Sequence, residues 1–474
     1  MAANDATLTD AQPAAVSTHP GARRAPRIRV LDVLEQNTFV VLVLAAVGAL
    51  QAALSRVAIG SDSWYTLISG RLVARSWLPH HDALTVFSAG RSWVDQQWLA
   101  HLVLYGLWWA GGWPLALLAL LGAYVVAFAI AAAAARALGA SERSTALLLL
   151  TCILLGITNS GFRAQTPAYV LFALVLLLLL KDERSPSKTV FAALPLLVVW
   201  ANVHGSVVFG AGLVALRGLT VAVENVRMRA PVRSWLLRAA ALAGLPWLCA
   251  LASPYGLALP GYYHRILDNP TLSGFLAEWQ PTTLKSQPFF FALLLVGLWL
   301  VFRQHGALGL FAQLSLVAAG LGGLLALRNM IWFALVAAAV LPSALDHLWP
   351  PRSAPRHRRI NLGIASAALL ALVVIAAATA SHGRTWYEHA YPRAAGDAVA
   401  SAVAADPAAA GAQAILMPDT ALHTIDVLDR LDERVGKPVL TANQVSVWQG
   451  LRLAGADRAR QGLGALFAAG PEAG

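Results

Sequence analysis

Long apolar stretches recur from Asn37 to Ala380, each parted from the next by a short polar or basic connection. Lipid offers backbone amides no partner. A run of about 20 apolar residues therefore crosses hydrocarbon as a helix, which satisfies its own hydrogen bonds. The pattern predicts an α-helical polytopic membrane protein with about eleven transmembrane helices over residues 37–380. The first span covers 38–59, the second 113–135 and the last 361–380. Two longer polar stretches interrupt the series, at 60–97 and 253–287, and both fall on the same side.

Basic residues sort onto alternate connections. One side receives Arg23, Arg24, Arg27 and Arg29, then Arg136 and Arg143, then Lys181, Arg184 and Lys188. It also receives Arg227, Arg229 and Arg233, then Arg303, and finally Arg352, Arg356, Arg358 and Arg359. Loops rich in Lys and Arg stay in the cytoplasm. The expected location is a bacterial inner (plasma) membrane, with the N-terminus cytoplasmic and the C-terminus extracytoplasmic. Residues 1–36 read as a disordered basic tail, because they are rich in Ala, Thr, Pro and Arg. The first apolar run starts too late and runs too long for a cleaved signal peptide, so it reads as an anchor.

Composition fits. The chain is 58% hydrophobic and 12% charged, with a mean hydropathy of +0.61. Lys plus Arg number 35 against 24 Asp plus Glu, a net charge of +11. In a soluble protein that excess would suggest nucleic acid. Here the arginines sit between spans and set orientation, so no nucleic-acid partner is expected. The only cysteines, Cys152 and Cys249, lie inside apolar stretches. They offer neither a disulfide framework nor a zinc site.

The outer stretch 60–97 carries the densest candidate chemistry. Residues 63–77 put Trp64, Leu67, Ile68, Leu72 and Trp77 on one helical face, which predicts an amphipathic helix at the interface. A tryptophan-rich helix around 98–109 is too short to cross and also fits the interface. Asp62 opens the first of these helices, His80, His81 and Asp82 form a polar knot between turns, and Asp95 opens the second. Asp62, Asp82 and Asp95 are candidate catalytic carboxylates, since an outer-surface carboxylate can take a proton from an acceptor hydroxyl during glycosyl transfer. Asp62 has an equally simple reading as a helix cap.

Five further residues are candidate substrate-binding groups: His81, Arg163, His204, Glu278 and Arg328. Arg163 and Arg328 each sit at an outer membrane boundary. There an arginine either snorkels to headgroups or neutralises a lipid phosphate. Asn202 and His204 stand in an apolar setting where polar groups need partners, as in a satisfied structural turn. No cofactor is expected. A His80–His81–Asp82 metal site is a weak alternative, because adjacent side chains seldom share one ion.

The runs "DSWYTLISGRLVARSWLPHHDALTVFSAGRSWVDQQWL", "WANVHGS", "SPYG", "EWQP" and "LRN" together resemble a group of uncharacterised bacterial polytopic membrane proteins. Their layout looks like that of GT-C glycosyltransferases, and the resemblance covers about residues 30–400. It implies a polyprenyl-phosphate sugar donor and a catalytic acid near the end of the first span, which Asp62 matches by position. Many GT-C enzymes show two acidic residues there, whereas here Asp62 is followed by Ser63. The expected partners are a lipid-linked sugar donor and membrane lipids. The alternative is a non-catalytic lipid transporter or scaffold. A transporter would carry charges near the bilayer midplane, and the acids here read as loop residues.

Residues 381–410 read as an extracytoplasmic linker with a helix. From Gly411 the texture changes to strand, helix, strand, helix over 411–474, with strands at Ile415–Met417 and Val439–Thr441 and a helix ending at Gly436. The run "GKPVLTANQVSVWQGLRLAG" resembles the C-terminal end of the aspartate/glutamate racemase superfamily, especially its maleate isomerase and arylmalonate decarboxylase relatives. Many members place a catalytic cysteine after the first strand. Asp419 occupies that place here, so the resemblance implies a small α/β fragment without racemase activity.

Overall fold

The computed structural model describes residues 30–54, 59, 61–84, 90–156, 163–267, 276–351, 357–385, 391–417, 424–456 and 458–468. It is an α-helical membrane bundle followed by a small α/β unit. A short helix α1 (Val30–Gln36) bends by 88° into α2 (Thr38–Leu54). Then come α3 (Ser61–Ser76), α4 (Trp98–Ala137), α5 (Glu142–Gly156) and α6 (Thr166–Arg184). They are followed by α7 (Ala193–Val203), α8 (Val207–Arg227), α9 (Val232–Ala250) and α10 (Ala258–Leu267). The remaining membrane-region helices are α11 (Pro288–Arg303), α12 (Leu310–Leu325), α13 (Met330–Leu348) and α14 (Arg358–Thr385).

A helix occurs at each of the eleven positions where the apolar pattern predicts a span. Among the described residues, four helices are long and apolar enough to cross a membrane by themselves, or five if α1 and α2 count as one bent span. The others are shorter or carry charged residues. α13 is buried along nearly all of its length, as an all-round apolar helix must be. Its Trp332 meets Phe172 of α6 and Trp200 of α7 at ring distances of 5.0 and 6.1 Å. α14 packs on α2 and α4 but exposes most of its surface, which suits a lipid-facing helix.

Helix α4 is broken. Gly111 leaves the helix, and Gly112 has φ 66° and ψ −164°, a conformation open to glycine alone. Pro114 restarts the helix two residues on. The break divides an aromatic outer segment from an apolar inner one, close to the predicted division at 109–113.

Face by face, the connections separate cleanly. The ends of α2, α5, α7, α9 and α12 gather with α3 and α10 on one face, here the loop face. On the opposite face, helix ends clasp one another through carboxylates. Glu142 accepts the Phe39 N–H at 2.6 Å, and Glu183 accepts the Phe311 N–H at 2.6 Å. Asp346 takes the Ser141 N–H together with the Ser141 and Ser144 hydroxyls. Each carboxylate thereby answers backbone donors that a helix N-terminus leaves open.

Not every acid is a loop residue, as the sequence pattern implied. Asp182 near the end of α6 is buried against Arg217, halfway along α8, with Nε–Oδ2 at 3.0 Å. Arg238 and the Ser187 N–H also reach Asp182, while Glu224 and Thr220 take the far side of Arg217. Each charge in this network has an opposite partner, as buried charge requires, although Arg238 Nε is left without a hydrogen bond.

Beyond the bundle lie α15 (Tyr391–Ala405), β1 (Ile415–Met417), α16 (Leu428–Val435), β2 (Val439–Thr441), α17 (Ala442–Leu453) and α18 (Ala465–Ala468). The strands occupy the two predicted segments and pair in parallel, Ile415 opposite Val439. Gly436 closes α16 in the left-handed region with φ 71°. Thr441 and Gln444 form a capping box that starts α17. Asp419 lies outside the described residues.

Candidate functional site

Two interface helices build the floor of the loop face. α3 lies on the outer segment of α4. Ser63, Thr66, Leu67, Ser69, Gly70 and Val73 are buried, whereas Ile68 and Trp77 are exposed. Small residues let the two backbones approach, and the larger apolar ones face outward, where an interface helix meets lipid.

Asp95 sits just before α4. Its carboxylate accepts the Gln97 N–H, and its carbonyl accepts the Trp98 N–H, which turns the chain into the helix. One turn into the helix, His101 brings Nδ1 to 3.0 Å from the same carboxylate. The pair is closed from solvent, Asp95 at 4% exposure and His101 at 2%. Tyr65 of α3 sets its ring edge-on to His101 at 5.5 Å. Three tyrosines feel the Asp95 charge. Burial first, and Asp95 second, raise the hydroxyl pKa of Tyr65 and Tyr262, and push Tyr255 up to about 12.

Asp82 is also buried, and its charge too acts on Tyr65. Its Oδ1 accepts the Leu84 N–H at 2.8 Å, and its backbone pairs with Arg91 and Gly90. A single antiparallel bridge, His81 to Ser92, completes this turn. His80 leans on Tyr255 at 5.5 Å, while His81 is exposed. The His80–His81–Asp82 knot therefore diverges. Among the described residues, no three His, Cys, Asp or Glu side chains group as a metal ion would require.

Charged groups converge beside this buried pair. Arg163 reaches Asp62 with Nε–Oδ2 at 3.2 Å and donates from Nη1 to Glu278. Arg328 approaches the other Glu278 oxygen at 3.5 Å, donates to Gln165 Oε1 at 3.3 Å and lies 4.4 Å over the Trp279 ring. Two guanidinium groups from separate helix connections thus meet at one carboxylate. Asp62 is in the first turn of α3, where the helix dipole favours it. Its side chain is 59% exposed, so its carboxylate is open to an incoming group.

The α7–α8 turn supplies the third wall. His204 is buried, and its Nδ1 accepts the Ser206 N–H at 3.0 Å. Burial first, then the charges of Arg328 and His101, lower the His204 pKa to about 3, so the ring is neutral and protonated at Nε2. Asn202 donates to the Val198 and Ala252 carbonyls and accepts from Trp98 Nε1 at 2.9 Å. Gln96 donates from Nε2 to the Ala201 carbonyl at 3.1 Å.

Of the sequence candidates, Asp62, Arg163, Glu278 and Arg328 are brought into one cluster. The charges of Asp82 and Asp95 both act on Tyr65, and His204 lies within the field of Arg328. His81 stands apart. Pattern reasoning missed His101, Gln96 and the tyrosines. A lone histidine in a tryptophan-rich interface helix was the available sign of His101.

No protein family model matches the chain, and no curated protein matches it. Among solved structures, it is similar to ArnT from Cupriavidus metallidurans bound to undecaprenyl phosphate. That likeness has 16% identity, covers 84% of this chain and 85% of that one, and has a TM-score of 0.42. The apo form of the same protein is similar at 18% identity, with 84% of each chain covered and a TM-score of 0.41.

Proposed function

We propose that the chain is a membrane glycosyltransferase of GT-C-like layout. In this reading it moves a sugar from a polyprenyl-phosphate donor to an acceptor hydroxyl at the outer face of a bacterial inner membrane. The observation that carries the reading is the meeting of Arg163 and Arg328 at Glu278. Two guanidinium forks aimed at one pair of anionic oxygens suit a phosphate, and their place at the helix ends suits a phosphate borne on a lipid. All eleven apolar helices cross the membrane in this reading, with the carboxylate-clasped face in the cytoplasm.

The chemistry follows from the arrangement. The acceptor oxygen bonds to the anomeric carbon as the bond from that carbon to the phosphate oxygen breaks. The electron pair leaves on the lipid phosphate, where Arg163 and Arg328 stabilise the added charge. The acceptor proton passes to Asp62, the one exposed carboxylate of the cluster. Asp95, held by His101, adds a fixed negative charge behind the tyrosines, where a sugar ring carrying developing positive charge would lie.

A lipid transporter is the second reading, favoured by the intramembrane Asp182–Arg217 pair. The two separate by experiment. Purified protein in nanodiscs is expected to bind undecaprenyl phosphate, to lose that binding in Arg328→Ala, and to release bare undecaprenyl phosphate from a glycosylated donor. Failure to bind the lipid phosphate would overturn both readings. Binding without loss of the sugar, across a panel of polyprenyl-phosphate sugars and acceptors, would leave the transporter.

A further inference from the structure

Glu278 occupies the point where the two arginines meet. Arg163 takes its Oε2 and Arg328 its Oε1. Asp62 sits at Arg163 Nε, so two carboxylates already answer the two guanidinium charges. The cluster is open to an incoming group. The side chains of Arg163, Glu278 and Asp62 are 42%, 30% and 59% exposed.

The segment that carries Glu278 is tied down beside the arginines. Its neighbour Trp279 lies against the Arg328 guanidinium at 4.4 Å. The Gln280 carbonyl accepts the N–H of Leu327, the residue before Arg328, at 3.1 Å. Thr282 donates its N–H to the Leu324 carbonyl at 3.0 Å and its hydroxyl to the Gly323 carbonyl. These bonds join the segment to the end of α12 and to the turn that carries Arg328. Glu278 can swing about its side-chain bonds, but its charge stays close to both arginines. A phosphate entering between them meets that charge at short range.

We propose that Glu278 sets the charge preference of the site, opposing a dianionic phosphomonoester more than a monoanionic phosphodiester, and so promotes release of the lipid-phosphate product. This inference rests on the lipid-phosphate reading above and assigns the step after sugar transfer. The donor in that reading is a phosphodiester with one negative charge. Its product is a phosphomonoester, which carries close to two charges above pH about 6. Two arginines alone would hold the product more tightly than the donor. Coulomb repulsion grows in proportion to ligand charge, so a fixed carboxylate takes about twice as much binding energy from the product. Glu278 thereby offsets the advantage that the arginines give to the product.

The test titrates undecaprenyl phosphate and its methyl ester, a diester of the same lipid without a sugar, against the full-length protein in nanodiscs at pH 8. Glu278→Gln keeps the shape of the side chain and removes its charge. The variant is expected to bind the bare lipid phosphate about tenfold more tightly than wild type, a difference worth about 1.4 kcal/mol. For the methyl ester the expected gain is about threefold, the square root of that factor. At pH 5 the monoester loses its second charge, and its gain should fall to that of the ester. Equal gains at pH 8, or a tenfold gain that persists at pH 5, would overturn the charge preference. Weaker binding of both lipids by the variant would also overturn it and make Glu278 a brace for the arginines. If the variant does not fold, wild type decides alone. It is expected to hold the two lipids within about twofold of each other at pH 8, and a marked preference for the bare phosphate would overturn the proposal. Absence of binding of either lipid by wild type would overturn the lipid-phosphate reading and this inference with it.

Discussion

Gly70 of α3 lies against the backbone carbonyl of His101 so closely that a Cβ would stand 2.2 Å from that oxygen. Only a glycine permits the approach. It presses α3 onto the helix turn whose histidine holds Asp95, so the candidate site depends on a residue with no side chain.

Gly70→Ala is therefore expected to force α3 away from α4 and lower stability by about 1–3 kcal/mol, the usual scale of overpacking. The readout is melting temperature in detergent. Gly106→Ala, on the same segment of α4 with open space around it, is the control and should be neutral or slightly stabilising. An unchanged melting temperature for Gly70→Ala would mean that α3 is not seated on α4.

Asp62→Asn keeps the size of the side chain and removes the base. With a glycosylated polyprenyl phosphate as donor, turnover is expected to fall roughly 100-fold or more, the scale of losing a general base. Expression and lipid-phosphate binding should persist. Unchanged turnover would move proton transfer to another group, with Asp95 the next to test.

His204 gives a pH dependence of known sign. Its folded-state pKa of about 3 lies below its ordinary value of 6.5. Between these values the unfolded chain binds a proton that the folded protein refuses. Stability therefore falls as the pH drops below 6.5, at a rate approaching 1.4 kcal/mol per unit. His204→Asn keeps an acceptor for the Ser206 N–H and cannot titrate. Melting temperatures measured from pH 7 to pH 5 should fall more steeply for wild type than for the variant. Parallel curves would assign the acid sensitivity elsewhere.

Sidedness is checked by single cysteines in a background lacking Cys152 and Cys249. A cysteine at Arg229, in the α8–α9 turn, should resist an impermeant thiol reagent in intact cells. One at Arg265 of α10 should react. The reverse pattern would invert the proposed orientation and place the site on the wrong side for an outer-face donor.

Deleting residues 411–474 is expected to leave the bundle folded, since the removed segment contains β1, β2 and their helices but no apolar span. Detergent-extracted material should stay monodisperse with a similar melting temperature. Collapse of the truncated protein would show that this segment braces the membrane helices.

The sequence was most readable where structure is local. The division of α4 was visible in the short tryptophan-rich run at 98–109 and the apolar run from 113, because run length and composition are local properties; Gly111, Gly112 and Pro114 make the break. The C-terminal strands and the Gly436 cap were visible for the same reason. Residue types at the loop face were readable too, but their meeting was not. Arg163 and Glu278 are 115 positions apart, and Arg328 and Gln165 are 163 apart, distances that only the packed bundle closes. The side of α3 that packs on α4 was not legible, because Ser63, Thr66 and Gly70 pack by being small, which a hydrophobic pattern does not register. Arg217 escaped because its partner Asp182 lies on another helix.

The carboxylate clasps also set an order in time. Ser141 precedes Asp346 by 205 residues, so α5 emerges from the ribosome long before the group that closes its end. At about 5–20 residues per second, that interval lasts roughly 10–40 s. Throughout it, the α5 N-terminus has its own Ser141 hydroxyl, which accepts the Ser144 N–H, but not the Asp346 carboxylate. α13, one of the last bundle helices in chain order, supplies both the middle of the core and the carboxylate that completes the α5 end.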